Sequence, residues 1–224
     1  MCLCAEMEII MKKYLYLFMI AVLGLGCLTA CSSEKEEDKT ETQQDGDSKA
    51  EESTEKLLSG KYSIEIDIKD YGVIKADVDA DIAPITVTNF INLVKEGFYD
   101  GLTFHRIING FMMQGGDPLG NGTGGSDKTI KGEFSDNGVE NKLSHKRGVL
   151  SMARGAYDYD SASSQFFIMH KNNTVLDGQY AAFGEVTEGI EIVDKICEET
   201  PVTDDNGTVE AKNQPVITSI KVVE

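Results

Sequence analysis

Residues 104–117 read Phe-His-Arg-Ile-Ile-Asn-Gly-Phe-Met-Met-Gln-Gly-Gly-Asp. One arginine, Arg106, stands among large apolar side chains, and Phe111, Met112, Met113 and Gln114 follow closely. Strand alternation puts Phe104, Arg106 and Ile108 on one face, with His105 and Ile107 on the other. An unpaired charge among apolar groups is costly to bury. Arg106 therefore needs either a carboxylate partner at a sheet edge or a chemical use. An arginine in use is a permanently charged, multiple hydrogen-bond donor. Two further segments stand out. One is Leu150-Ser-Met-Ala-Arg-Gly155 with Ser161-Ala-Ser-Ser-Gln-Phe-Phe-Ile168; the other is Val175-Leu-Asp-Gly-Gln-Tyr-Ala-Ala-Phe-Gly184.

Other patterns suggest chemistry less well. Gly120, Gly122 and Gly125 satisfy G-x-G-x-x-G, but a dinucleotide loop should open a helix. Here Ser126-Asp127-Lys128-Thr129 continues as loop, so a glycine-rich surface loop is the better reading. Asp158-Tyr-Asp160-Ser starts like a calcium loop, yet Ser163 and Met169 occupy the positions that need Gly and Glu. His105, His145 and His170 lie far apart and read as structural or solvated. Ser151 has no His/Asp arrangement near it in sequence, which argues against a nucleophile. Asp204-Asp205-Asn206-Gly207 reads as a turn before a closing strand.

The three segments, with "FHRII-GFM-QGGD", "SSQFFI" and "LDG-YAAFG" in that order, resemble the cyclophilin family of peptidyl-prolyl isomerases across 61–224. The resemblance implies that Arg106 is the catalytic arginine, with Gln114 hydrogen-bonding beside it. It places Phe111, Met112, Phe167 and Leu176 in the wall of a proline pocket. Ala153 and Arg154 fall in the strip that holds the substrate backbone, where many relatives have Asn at the second position. Gln165 falls in the adjoining groove. Tyr180 stands where many relatives have His, and Val175 where many have Trp. These departures touch the pocket rim, so weak cyclosporin binding is expected.

The implied reaction suits these residue types. Rotation about a peptide bond faces a barrier of about 18–20 kcal/mol because resonance must be broken. For X–Pro the isomers lie within about 1 kcal/mol yet exchange over tens of seconds or longer. No bond forms or breaks, so neither a nucleophile nor a general base is required, and no cofactor or metal is implied. A fixed guanidinium can favour the twisted amide over the planar one while an apolar pocket grips the ring.

The elements that would position these residues are short. Tyr62, Ile64, Ile66 and Ile68 alternate with polar residues as a half-buried strand, and Val73–Val78 reads as its hairpin partner after Tyr71-Gly72. Pro84 opens a helix with Val87, Phe90, Ile91 and Val94 at helical spacing, and Gly97 ends it. Strands are expected around 103–108, 111–114, 148–152, 165–169, 182–186 and 216–222. A second helix is expected over about 190–198, with Ile192/Ile196 and Val193/Cys197 as i,i+4 pairs. Cys197 reads as a buried free thiol. The expected fold is mainly β: a closed antiparallel cyclophilin-like β-barrel capped by two α-helices.

Upstream, residues 11–31 combine Lys12 and Lys13, an apolar run from Tyr14 to Leu28, and Leu28-Thr29-Ala30-Cys31. This is the pattern of a secretory signal and resembles the bacterial lipobox, with Cys31 as the lipidated residue. Glu6 and Glu8 precede the lysines, so Met11 fits better than Met1 as the start. Residues 32–56 hold ten acids, four lysines and one apolar residue, Ala50. That composition cannot offset the entropy of ordering, and the stretch is expected to be a disordered tether.

The whole 224-residue chain carries −17, from 21 Lys+Arg against 38 Asp+Glu. With the leader (two acids, two bases) and tether set aside, the 57–224 body keeps 26 acids and 15 bases, a charge of −11. Nucleic acid, which requires a basic face, is excluded as an expected partner. Only Cys197 of the five cysteines lies in the body, so no disulfide can form within it. The expected protein is thus an extracytoplasmic lipoprotein of the cell membrane. It acts on X–Pro bonds of secreted or surface polypeptides and assists their folding. The alternative is a surface module that keeps the proline pocket without useful turnover.

Overall fold

The structure is a computed structural model and describes residues 56–223. The signal segment, Cys31 and the tether up to residue 55 lie outside the described residues.

Eight strands form one sheet. β1 (Lys61–Ile68) and β2 (Gly72–Asp79) pair antiparallel as the alternation predicts, with Ile64, Ile66 and Ile68 inside. β3 (Thr103–Ile108), β4 (Met112–Asp117), β5 (Val149–Met152), β6 (Phe166–Met169), β7 (Ala182–Glu188) and β8 (Ile217–Val223) complete it. The order across the sheet is β3-β4-β6-β5-β7-β2-β1-β8, and the named ladders are all antiparallel.

The sheet curls but does not close, which corrects the closed-barrel expectation. Its end strands, β3 and β8, meet only through a bridge between Thr103 and Val216 and neighbouring backbone bonds such as Phe104 N to Pro215 O. Further along β3, the outer edge is taken by residues 207–209. Ile107 N donates to Gly207 O, and Val209 N donates to His105 O. With its edge groups satisfied there, β3 cannot ladder with β8 over its whole length.

α1 (Pro84–Lys95) and α2 (Ile190–Glu199) pack against this sheet. Pro84 opens α1, since it lacks an N–H that would be unpaired there. Ala83 offers no capping side chain. The buried Glu133 carboxylate substitutes, accepting from Ile85 N and Thr86 N at 2.9 and 2.7 Å. α2 buries Val193, Ile196 and Cys197. Cys197 is a free buried thiol whose pKa burial pushes up to about 12.

Two apolar clusters divide the roles. The large one lies inside the curled sheet and includes Phe90, Tyr99, Phe104, Phe166 and Phe183. Phe90 is its hub, with ring centroids of Tyr99, Phe166 and Phe183 at 5.2, 5.5 and 5.1 Å. The smaller cluster gathers Met112, Val149, Phe167, Met169 and Ala182, with Ile108, Phe111, Leu176 and Tyr180 partly exposed against it.

Candidate functional site

The site grows from the smaller cluster and depends on an irregularity in β3. Strict alternation would keep Phe104 on the face of Arg106. The register instead shifts: Phe104 opposes Gly115 while Arg106 opposes Gln114, so two β3 steps meet one β4 step. This β-bulge re-aims the strand. Phe104 and Ile107 go into the large interior cluster, and Arg106 and Ile108 face the site. The expected grouping of Phe104 with Arg106 is therefore wrong. Gly116 follows with φ +80, and a Cβ there would lie 2.7 Å from Ser164 O. Only glycine allows β4 to pass so close.

Arg106 is held from two sides. Its Nη1 donates to Gln114 Oε1 at 3.2 Å and lies 3.9 Å from the Met112 sulfur. Its Nε donates to Asn206 O at 2.9 Å and its Nη2 to Asn206 Oδ1 at 3.2 Å. Three of the five guanidinium N–H donors are thus fixed on oxygen and a fourth points at the Met112 sulfur, which leaves one Nη2 N–H for a ligand. Burial draws the Arg106 pKa below its usual range, while Tyr180 and Asp204 act the other way. The group still stays charged near neutrality. Gln114 passes the chain of bonds on, donating Nε2–H to Gln165 Oε1 at 2.9 Å. Gln165 is itself pinned by donating to Gly122 O and Gly124 O.

Asn206 was not singled out from the sequence, where 204–207 reads as an ordinary turn. The turn is real, with Gly207 N donating to Asp204 O at 3.1 Å. Its position against β3 has no local signature beyond the Asn-Gly pair. Gly207 has φ +80, and a Cβ there would clash with Ile107 O.

Beside Arg106 lies a cavity of about 220 Å³. Phe111, Met112, Phe167 and Leu176 give it apolar walls, and Gln114, Ala153, Arg154 and Tyr180 complete the rim. The structure thus brings together the residues that the sequence resemblance places there. Gln165 lines the neighbouring polar cavity of about 290 Å³ instead. Tyr180 meets Phe167 edge-on at 5.9 Å. Val175 is 74% exposed, on the short turn that carries Leu176.

Behind the pocket the fold assembles what the sequence did not show. His145 Nδ1 lies 2.8 Å from Asp177 Oδ1, and its Nε2 lies 3.0 Å from Ser151 Oγ. Ser151 therefore does have a His and an Asp. Ser151 and His145 are fully buried, however, and the His145 ring stacks on Phe167 at 6.0 Å and 19°. A hydroxyl sealed from solvent meets no substrate; the triad braces Phe167 and the 174–177 turn. Burial lowers the His145 pKa, against the pull of Asp177.

The glycine-rich loop also gains a definite role. Asp117 accepts backbone N–H bonds from Leu119, Asn121, Gly122 and Gly124. Burial would raise its pKa, but these donors together outweigh it and hold the carboxyl low. N–H groups that would cradle a phosphate are already committed. Asp160 likewise accepts from Gly132 N and Asn137 Nδ2.

Comparison with known proteins identifies the fold and the family. Residues 63–222 match the family described as cyclophilin type peptidyl-prolyl cis-trans isomerase/CLD. The chain is 47% identical over 124 residues to peptidyl-prolyl cis-trans isomerase B of Bacillus subtilis, covering 55% of this chain and 82% of that protein. It is 49% identical over 116 residues to a peptidyl-prolyl cis-trans isomerase of Helicobacter pylori, covering 51% and 68%. A Cryptosporidium parvum cyclophilin-type isomerase, crystallised in the presence of the dipeptide Ala-Pro, superposes with a TM-score of 0.64 at 30% identity, covering 72% of this chain and 99% of that one. The curled sheet and its two helices are those of the cyclophilin fold. The chain belongs to the cyclophilin-type peptidyl-prolyl cis-trans isomerase family.

Proposed function

We propose that this chain is a lipid-anchored, extracytoplasmic isomerase that rotates X–Pro bonds in secreted or surface polypeptides and so assists their folding. The observation that carries the catalytic part is the Arg106 guanidinium, fixed by Gln114 and Asn206 at the mouth of an apolar cavity. Phe111, Met112, Phe167 and Leu176 grip the proline ring. As the preceding carbonyl turns, the prolyl nitrogen loses conjugation and its lone pair localises. The remaining Arg106 N–H stabilises that lone pair, and it is already oriented when the lone pair develops. Gln114 and Asn206 set the angle of approach. Ala153 and Arg154 hold the substrate backbone alongside. No proton is transferred, so no titrating base takes part.

The anchoring part rests on the Leu28-Thr-Ala-Cys31 pattern and on the acid-rich tether that follows it. One lipid chain binds a membrane only marginally, and stable anchoring needs more than one signal. The test joins both parts. Arg106→Ala should lower kcat/KM in a coupled peptide-isomerisation assay by roughly 10²–10³, the scale of one preorganised donor, with an unchanged melting curve. Near-normal turnover in the folded variant would remove the mechanism. Cys31→Ala should leave the detergent phase in a partitioning experiment or remain unprocessed. Equal membrane retention of a cleaved variant would remove the anchor.

A further inference from the structure

We propose that Arg154 makes the polar cavity beside the proline pocket select polypeptides that carry a carboxylate two residues from the proline. The inference rests on the isomerase reading of the site. The two cavities share Gln114, Ala153 and Arg154. The rest of the polar one is walled by glycines and by Thr123, Ser161, Ser163 and Gln165, none of them ionised. Among the described residues that line it, Arg154 alone carries charge. In an extended chain, side chains two residues apart share a face and lie about 6.5–7 Å apart. A peptide with its proline in the apolar pocket therefore brings a neighbour at that spacing over the polar one.

Arg154 is held as a recognition group would be. Its guanidinium carbon lies 4.8 Å from the ring centroids of Tyr159 and Tyr180 and 5.3 Å from that of Phe134. Nε donates to Gln179 O at 2.9 Å and Nη1 to Gly155 O at 2.8 Å. Nη2 has no hydrogen-bond partner among the described residues, and neither does Ser163 Oγ. The fork is already ordered, so a ligand loses little side-chain freedom in meeting it. Arg154 and Ser163 both line the polar cavity, and a charged donor beside a neutral one is the complement of a carboxylate. The folded body carries −11, so general electrostatics would disfavour acidic clients. A preference for acid must come from this local cation.

The experiment compares peptides Ala-X-Ala-Pro and Ala-Pro-Ala-X, with X as Asp, Asn, Ala or Lys, in the isomerisation assay at low and high salt. We expect Asp to exceed Asn and Ala by roughly three- to tenfold in kcat/KM in one of the two sets. Lys should fall below Ala, and high salt should narrow the range. In Arg154→Gln the Asp-to-Asn ratio should fall to about one, and Arg154→Lys should keep part of it. The readout is a ratio within each variant, so a change in overall rate does not confound it. If Arg154→Gln does not fold, the salt dependence of the Asp-to-Asn ratio in the parent decides. Equal rates for Asp and Asn in both sets of parent peptides overturn the proposal, as does a ratio that survives Arg154→Gln. A parent that isomerises none of the peptides overturns the isomerase reading itself.

Discussion

At the scale of single residues, orientation matters as much as the presence of charge. In the proposed mechanism Arg106 serves because Asn206 takes Nε and Nη2 while Gln114 takes Nη1. That mechanism makes Asn206 a positioning residue. Asn206→Ala removes the Oδ1 acceptor and keeps the backbone one. It should cost roughly ten- to hundredfold in kcat, about the worth of one hydrogen bond to a charged group, with KM nearly unchanged. Asn206→Asp restores an acceptor and should recover most of the loss. A KM effect without a kcat effect would place Asn206 on substrate instead. Gly207→Ala should do more harm, because the added Cβ meets Ile107 O and φ is +80.

At the scale of elements, the site is held by distant segments brought into register. The α1 N-terminus rests on Glu133, 48 positions beyond Ile85 in the chain. Both carboxylate oxygens are used there, and the negative charge meets the positive end of the helix dipole. Glu133→Ala should destabilise the fold by about 2 kcal/mol, through unpaired N–H groups in a buried place. Glu133→Gln should cost less, because one oxygen remains; urea titration of both variants checks the order. The 174–176 turn presents Val175 to solvent and Leu176 to the pocket. A Val there has neither a donor nor a broad ring for cyclosporin. Val175→Trp should tighten inhibition roughly ten- to hundredfold, the worth of a hydrogen bond plus apolar contact. Turnover of a short X–Pro peptide should change less, since the pocket walls are untouched. Unchanged inhibition would move the cause to Tyr180 or Arg154.

At the scale of the whole molecule, pH should separate stability from catalysis. Burial lowers the pKa of His105, His145 and His170 in the fold. The unfolded chain then binds protons more readily than the folded one below about pH 6.5. Their contribution to stability is full above that value and is lost as pH falls from there toward the lower folded values. Asp117 and Asp177, also lowered, act with the same sign further down, below the ordinary carboxylate range. The melting temperature should therefore fall between pH 7 and 5, while kcat/KM stays nearly flat from about pH 6 to 9 in the folded enzyme. A bell-shaped rate profile would reveal an acid–base pair; a level melting temperature would contradict the buried neutral histidines.

Much of this architecture was legible before folding, for a local reason. Alternation in β1 and β2, the Pro84 start of α1 and the i,i+4 pairs of α2 are set by neighbours in the chain, and the strands fall where the pattern puts them. The family resemblance, carried by contiguous motifs, places Phe111, Met112, Phe167 and Leu176 at the pocket. What the sequence could not show was non-local. The bulge at His105 depends on β4 opposite it, and it alone separates Phe104 from Arg106. The sheet stays open because residues 207–209, a hundred positions later, occupy the edge of β3. Asn206 looks like any turn residue until that segment docks. Ser151, His145 and Asp177 read as unrelated until β5 and the 174–177 turn bring them together. Side-chain pattern decides each strand and helix, because it repeats within a few residues. Tertiary pairing alone decides which edge is satisfied by which segment, and so where the guanidinium points.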